Sequence, residues 1–292
     1  LNRPDKLNAL SPEVLTQLSE RFEEALALPG VRGVILQGAG KAFVAGADVA
    51  FFVEKIKAED PGAIRAFAAA GQTLFEAIET AAVPVVCRLD GLALGGGAEL
   101  ALACDAIVAT PSASIGFPET GIGIYPGLGG TQRLTRRVGL GEARRLLYTG
   151  TTLDARALAE LGLVREVVEP DSMDAALKQT LDALAEPGRA VEATPAAAPG
   201  SAAAYFAATP VREILQLEDA PPDNVAKDVR KLRRKAPLAL QAVERLTALA
   251  AESSKPRFDA ELEELEAIFT SADALEGMQA LLQGRKPSFS GR

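Results

Sequence analysis

The 292-residue sequence contains no histidine and no tryptophan, and only two cysteines and two methionines. The missing histidine excludes Ser-His-Asp and Cys-His catalysis and every metal site built with imidazole. Cys87 and Cys104 cannot make a structural zinc site by themselves. Each lies in an apolar stretch and reads as a small core residue, which fits a reducing, cytoplasmic setting. No metal is expected, and acid–base work falls to Glu, Asp, Lys or Tyr. A basic excess is also lacking: 31 Lys and Arg stand against 39 Asp and Glu, a net charge of −8. That balance argues against a nucleic-acid surface, so an anionic ligand must be held locally. No stretch approaches the roughly 18 to 20 apolar residues of a spanning helix, so no membrane role is expected. The start, Leu1-Asn2-Arg3-Pro4, has neither a signal-peptide pattern nor an initiator Met and is expected of a trimmed chain.

What is present supports a sizeable core, with 48% hydrophobic residues. Ser11-Pro12-Glu13 is a helix entry and Pro29-Gly30 a stop, so a helix is expected over 12–28. Val31 to Gln37 reads as a strand, and Lys41 to Asp48 as a small-residue loop leading to a helix over 49–58, with Asp48 as its simplest cap. Helices are expected over 62–81, 131–138, 141–149, 155–162 and 172–185, and strands over 83–89, 107–109, 114–117 and 163–168. This alternation favours an α/β fold with parallel βα units. Residues 186–210 shift to Ala, Pro, Gly and Thr and read as a linker or surface insertion. Beyond about 223 the pattern is helical, and the basic run Lys231, Arg233, Arg234 and Lys235 reads as a solvated helix face.

The chemistry concentrates at two glycine-rich turns. Gly95-Gly96-Gly97 joins an apolar strand to a helix and is followed by Glu99. Consecutive glycines mark a crowded or left-handed turn, and free N–H groups at a helix start can stabilise a developing anion. Between Phe117 and Arg133 a second glycine-rich loop carries Glu119 after Pro118. It lacks the Gly-Lys-Ser/Thr of a nucleoside-triphosphate cradle and the strand context of a dinucleotide fold. Taken alone, Glu99 is a dipole-compensating helix residue and Glu119 an exposed loop charge. Taken together, two carboxylates beside close-packed turns can hold divergent pKa values, one giving a proton and the other taking one.

With Asn2-Arg3-Pro4, Leu7-Asn8-Ala9-Leu10, Ala42 to Asp48, Gly91 to Leu100, Phe117-Pro118-Glu119 and Pro126 to Leu134, in that order, the chain resembles the crotonase (enoyl-CoA hydratase/isomerase) superfamily. The resemblance covers residues 1–185 and resumes near Ala236-Pro237-Leu238, ending with Glu276-Gly277-Met278 and Arg285-Lys286-Pro287. It implies a crotonase-like ββα spiral with a C-terminal helical trimerisation region. The implied domains are a spiral core over 1–186, an Ala/Pro-rich and basic insertion over 187–235, and helices for oligomerisation over 236–292. The implied oxyanion hole is the N–H pair of Ala47 and Gly96, and the implied catalytic carboxylates are Glu99 and Glu119. Ala45, Ala47, Asp48, Val49, Ala50 and Gly96 would line the substrate path, Lys41, Lys55 or Lys57 would meet phosphates, and Phe51, Phe52, Phe75 and Tyr125 would contribute to the acyl wall.

Within the resemblance, glutamate at both positions implies enoyl-CoA hydratase chemistry, a hydro-lyase reaction of the β-oxidation type. The implied substrate is an acyl-CoA thioester, with coenzyme A part of the substrate and no separate cofactor. A homo-trimer or a hexamer is implied, and a bifunctional protein fused to a 3-hydroxyacyl-CoA dehydrogenase is one form compatible with a trimmed chain. The long 187–235 segment is reminiscent of hydrolase-like members. An acyl-CoA hydrolase, an isomerase and a non-catalytic acyl-CoA-binding member are therefore the alternatives.

Overall fold

The first helix begins where its capping residues place it. Ser11 is extended and its hydroxyl accepts the Val14 N–H at 3.3 Å, and the helix runs Pro12–Leu26. The computed structural model describes residues 1–185, 198 and 200–292. Clustering of its contacts gives two units: Leu1–Asp48, Ala69–Gly116 and Leu153–Ala193 form one, and Val49–Ala68, Phe117–Thr152 and Thr194–Arg292 the other.

Among the described residues the first unit holds every strand: β1 (Val34–Gln37), β2 (Ala42–Ala45), β3 (Val85–Leu89), β4 (Leu92–Leu94), β5 (Ala106–Ala109), β6 (Ser114–Gly116), β7 (Leu153–Asp154) and β8 (Glu166–Val167). They form two sheets of four, ordered β1-β3-β5-β8 and β2-β4-β6-β7. Each successive pair of strands thus gives one member to each sheet. That is the ββα spiral: every turn lays its strand parallel to that of the turn before, and only β6 and β7 pair antiparallel. All four residues of β5 are buried, the continuous apolar pattern of a parallel strand covered on both faces. Val86 and Val108 pack there against Met173, Ala176 and Leu177 of the Met173–Leu184 helix, while Arg88 reaches Asp174 at 2.9 Å.

Most elements fall within two or three residues of expectation. The short strands Leu92–Leu94 and Leu153–Asp154 are not expected from the sequence, and neither is the Ala42–Ala45 strand, whose stretch reads as loop. Phe43 and Val44 favour a strand, but four residues set between glycine- and alanine-rich stretches give too short a run to read, and pairing with β4 makes the strand. Cys87 and Cys104 are both buried, as core residues.

The second unit is helical. Within the stretch expected as linker, Ala202–Ala208 is a helix whose Phe206 is buried. It packs on the Leu140–Thr149 helix so closely that a Cβ on Gly141 would lie 1.9 Å from the Ala203 carbonyl oxygen. Residues 186–197 and 199 of that stretch lie outside the described residues. The basic run is only half solvated: Arg233 and Arg234 are exposed, whereas Lys231 and Lys235 are half-buried and Lys231 donates to Thr151 Oγ1 at 2.9 Å. The C-terminal helices are Pro237–Glu252, Phe258–Phe269 and Ala272–Leu282. Glu261 is fully buried, accepting the Gly129 N–H at 2.7 Å and the Thr131 hydroxyl at 2.5 Å, and its own carbonyl accepts the Tyr125 hydroxyl. Among the described residues no helix is long and apolar enough to cross a membrane.

Candidate active site

In the first unit β2 and β4 pair in register just ahead of the two candidate oxyanion donors. Ala45 pairs with Leu94, so Ala47 and Gly96 each lie two residues beyond matched positions on neighbouring parallel strands. Ala47 sits in a parallel bridge to Leu10, where Leu10 N–H donates to the Gly46 carbonyl at 2.9 Å and Asp48 N–H to the Leu10 carbonyl at 2.7 Å. Those flanking bonds turn the N–H of Ala47 to the side away from Leu10. Gly96 opens the Gly96–Ala103 helix, and the first N–H groups of a helix have no acceptor within it. The turn needs its glycines: Gly95 has φ of 50°, and a Cβ on Gly97 would lie 2.0 Å from the Val44 carbonyl oxygen. Asn8 supports the same loop, its amide donating to the carbonyls of Ala39 at 3.0 Å and Ala42 at 2.8 Å. Glu99, one helical turn beyond Gly96, is buried.

Ala45, Ala47, Asp48, Gly96 and Glu99 therefore belong to the first unit, and Val49, Ala50 and Glu119 to the second. Glu119 opens the 3₁₀ turn Glu119–Ile122. That turn is held from several directions: Thr120 Oγ1 donates to the Leu147 carbonyl at 3.1 Å, and Ala236 N–H donates to the Thr120 carbonyl at 3.0 Å. At its end Gly123 has φ of 85°, and a Cβ there would lie 2.2 Å from the Asp273 carbonyl oxygen. Taken alone, Glu119 reads as an exposed loop charge; it is a buried carboxyl, 6% exposed, whose Oε2 has no hydrogen-bond partner among the described residues. Burial raises its pKa from 4.5 to about 8, against the pull of a backbone hydrogen bond and the Lys235 charge. Glu119 is thus a carboxylic acid at neutral pH.

Phe51, Phe52, Phe67 and Phe269 form an aromatic cluster in the second unit, with Phe52 5.3 Å from Phe269 between ring centres. Phe75 is buried in the first. Of the candidate phosphate lysines, Lys55 is paired with Glu54 at 3.1 Å and stands 5.9 Å over the Phe51 ring. The residue that sequence reasoning missed is Lys235. Its run looked like a solvated face, and only Gly121 and Gly150, which leave it room, could have hinted otherwise.

A family model described as enoyl-CoA hydratase/isomerase matches residues 1–291. The chain belongs to that family. It is 43% identical over 174 residues to a crotonyl-CoA hydratase of Syntrophomonas wolfei, a match covering 59% of this chain and 65% of the relative. To a short-chain-enoyl-CoA hydratase of Clostridium acetobutylicum it is 42% identical over 174 residues, again 59% and 65%. The chain thus spans about 65% of the length of these curated relatives. Among solved structures, a carnitinyl-CoA dehydratase from Mycobacterium thermoresistibile matches with a TM-score of 0.78 at 27% identity, covering 98% of this chain and 86% of that one. The fold of this enoyl-CoA hydratase/isomerase family member is the crotonase-like spiral with a helical C-terminal region.

Proposed function

We propose that the chain adds water across the double bond of a 2-enoyl-CoA thioester to give a 3-hydroxyacyl-CoA. The observation that carries this reading is Glu119, a buried acid that keeps its proton at neutral pH and has one oxygen without a hydrogen-bond partner among the described residues. Hydration of an enoyl thioester needs such a group, because the α-carbon must be given a proton. Thioester hydrolysis calls for an ionised base or nucleophile instead.

In the proposed reaction the thioester oxygen gains negative charge, which the N–H groups of Ala47 and Gly96 stabilise; one such donor contributes on the order of 3 kcal/mol. The oxygen of water bonds to the β-carbon, its proton passes to Glu99, and Glu119 gives its proton to the α-carbon. Ala45, Asp48, Val49 and Ala50 line the acyl-CoA path in this reading. Coenzyme A arrives with the substrate, and no separate cofactor takes part. The 3-hydroxyacyl product suits a 3-hydroxyacyl-CoA dehydrogenase, fused or separate, in the cytoplasm. We assign self-assembly as a trimer, or a pair of trimers, to the helices from Pro237 to Leu282, a reading supported by Leu281 and Leu282, which stay 54% and 55% exposed.

Crotonyl-CoA hydration, followed by loss of the enoyl absorbance, tests the proposal. Glu99→Gln and Glu119→Gln are each expected to lose about 10²- to 10⁴-fold in kcat. Unchanged turnover in both variants refutes the mechanism. Release of free coenzyme A without hydration assigns the chain to the hydrolases.

A further inference from the structure

A buried acid that gives its proton to carbon leaves a carboxylate where water is scarce, and an isolated buried anion is costly. Lys235 lies where that anion needs a cation. The next residue, Ala236, is tied by its N–H to the carbonyl of Thr120, the residue after Glu119, at 3.0 Å. The ammonium fills space that two glycines leave open: a Cβ on Gly121 would lie 3.0 Å from Nζ and one on Gly150 2.9 Å. The Gly150 position is also 3.4 Å from the Cα of Pro118, which precedes Glu119.

Most other ionisable groups on the elements packed against this turn are engaged with their own partners; Glu252 is exposed, and the buried Tyr148 hydroxyl has no hydrogen-bond partner among the described residues. On the last helix, Asp273 accepts the Gly291 N–H at 2.9 Å and Glu276 pairs with Arg285 at 2.6 Å. On the Leu140–Thr149 helix, Arg145 bridges Glu142 and Asp228, Arg144 donates to the Thr247 hydroxyl at 3.2 Å, and burial keeps the Tyr148 hydroxyl neutral. On the Pro237–Glu252 helix, Glu244 accepts the Val211 N–H at 2.7 Å and Arg245 pairs with Glu264 at 2.6 Å.

We propose that Lys235 is a positioning residue for Glu119, its ammonium stabilising the Glu119 carboxylate once the proton has moved to the substrate α-carbon. The inference rests on the hydratase reading for its role in turnover. The Glu119 O–H bond breaks as the α-carbon–hydrogen bond forms, the water proton goes to Glu99, and exchange with solvent restores both carboxyls. The electrostatics agree with the placement. Lys235 opposes the burial that raises Glu119, and its own pKa is lowered by burial and by Lys231 while Glu119 holds it up.

Infrared spectroscopy tests the coupling directly. The carbonyl stretch of protonated Glu119, identified by its loss in Glu119→Gln, is titrated in the wild-type chain, Lys235→Met and Lys235→Arg. The expected midpoint lies about one pH unit or more higher in Lys235→Met and near the wild-type value in Lys235→Arg. Crotonyl-CoA kcat is expected to fall about tenfold in the methionine variant and recover in the arginine variant, with KM little changed. An unmoved midpoint in folded Lys235→Met overturns the proposal, and Lys235→Gln carries the same titration if the methionine variant does not fold. A shifted midpoint in a chain that does not hydrate crotonyl-CoA upholds the charge coupling and sinks the hydratase reading instead.

Discussion

Glu119→Gln is expected to make the folded chain more stable as the pH rises, while removing its proposed activity. In the unfolded chain the carboxyl ionises around 4.5, whereas in the folded chain burial keeps it protonated to about 8. Between those values the folded state binds more protons than the unfolded one. Stability therefore falls with increasing pH, by up to about 1.4 kcal/mol per pH unit. The full rise corresponds to a ceiling of about 5 kcal/mol, lost progressively from the unfolded pKa upward and complete above the folded one. Glutamine does not ionise. Its own burial cost is independent of pH, so the informative quantity is the change in the wild-type-to-variant gap rather than its absolute size. Urea unfolding at fixed protein concentration, from about pH 5 to about pH 8, should show the gap moving in the variant's favour by about 2–4 kcal/mol. A gap that stays level across that range refutes a buried neutral carboxyl at 119.

Two further substitutions test the scaffold of the first unit. Asn8 is fully buried in a left-handed conformation with φ of 57°, accepts the Arg3 N–H at 2.7 Å and satisfies two carbonyls. Asn8→Leu should cost about 2–4 kcal/mol in urea unfolding, because three backbone groups lose their partner. Gly97→Ala sets a methyl 2.0 Å from the Val44 carbonyl oxygen and 2.7 Å from the Val44 Cβ, so strand and helix must separate. Destabilisation by about 3 kcal/mol and a fall in crotonyl-CoA kcat are expected, whereas Gly62→Ala, 3.5 Å from the Asp60 carboxylate, should be neutral or stabilising by thermal melting.

The sequence made the first unit legible because its signals are local. Ser11-Pro12 capped a helix, glycines punctuated the turns, and continuous apolar runs marked strands buried on both faces. Ala42–Ala45 was hidden because Phe43 and Val44 are too short a strand signal between glycine- and alanine-rich stretches, and the neighbouring strand, fifty residues on, decides its state. The burial of Glu119 was hidden for a related reason: Asp273, Ala274 and Gly277 crowd its turn from a distant part of the chain. The inward turn of Lys235 is not legible because a charge run has no periodicity that says which member turns inward. The Ala202–Ala208 helix was masked by low-complexity composition, although Phe206 supplies the apolar anchor that packs it.

The pairing of β2 with β4 shifts register between Ala42 and Val44, so that one residue, Phe43, is left over. Successive N–H groups along a strand point to opposite sides, and one residue advances the chain by about 3.3 Å. The surplus residue therefore acts like the offset of a gear: it decides which backbone amide past the end of the strand is presented beside that of Gly96. Deleting Phe43 would leave both loops their chemistry yet bring a different amide into phase, which makes chain length at this bulge as decisive as side-chain identity.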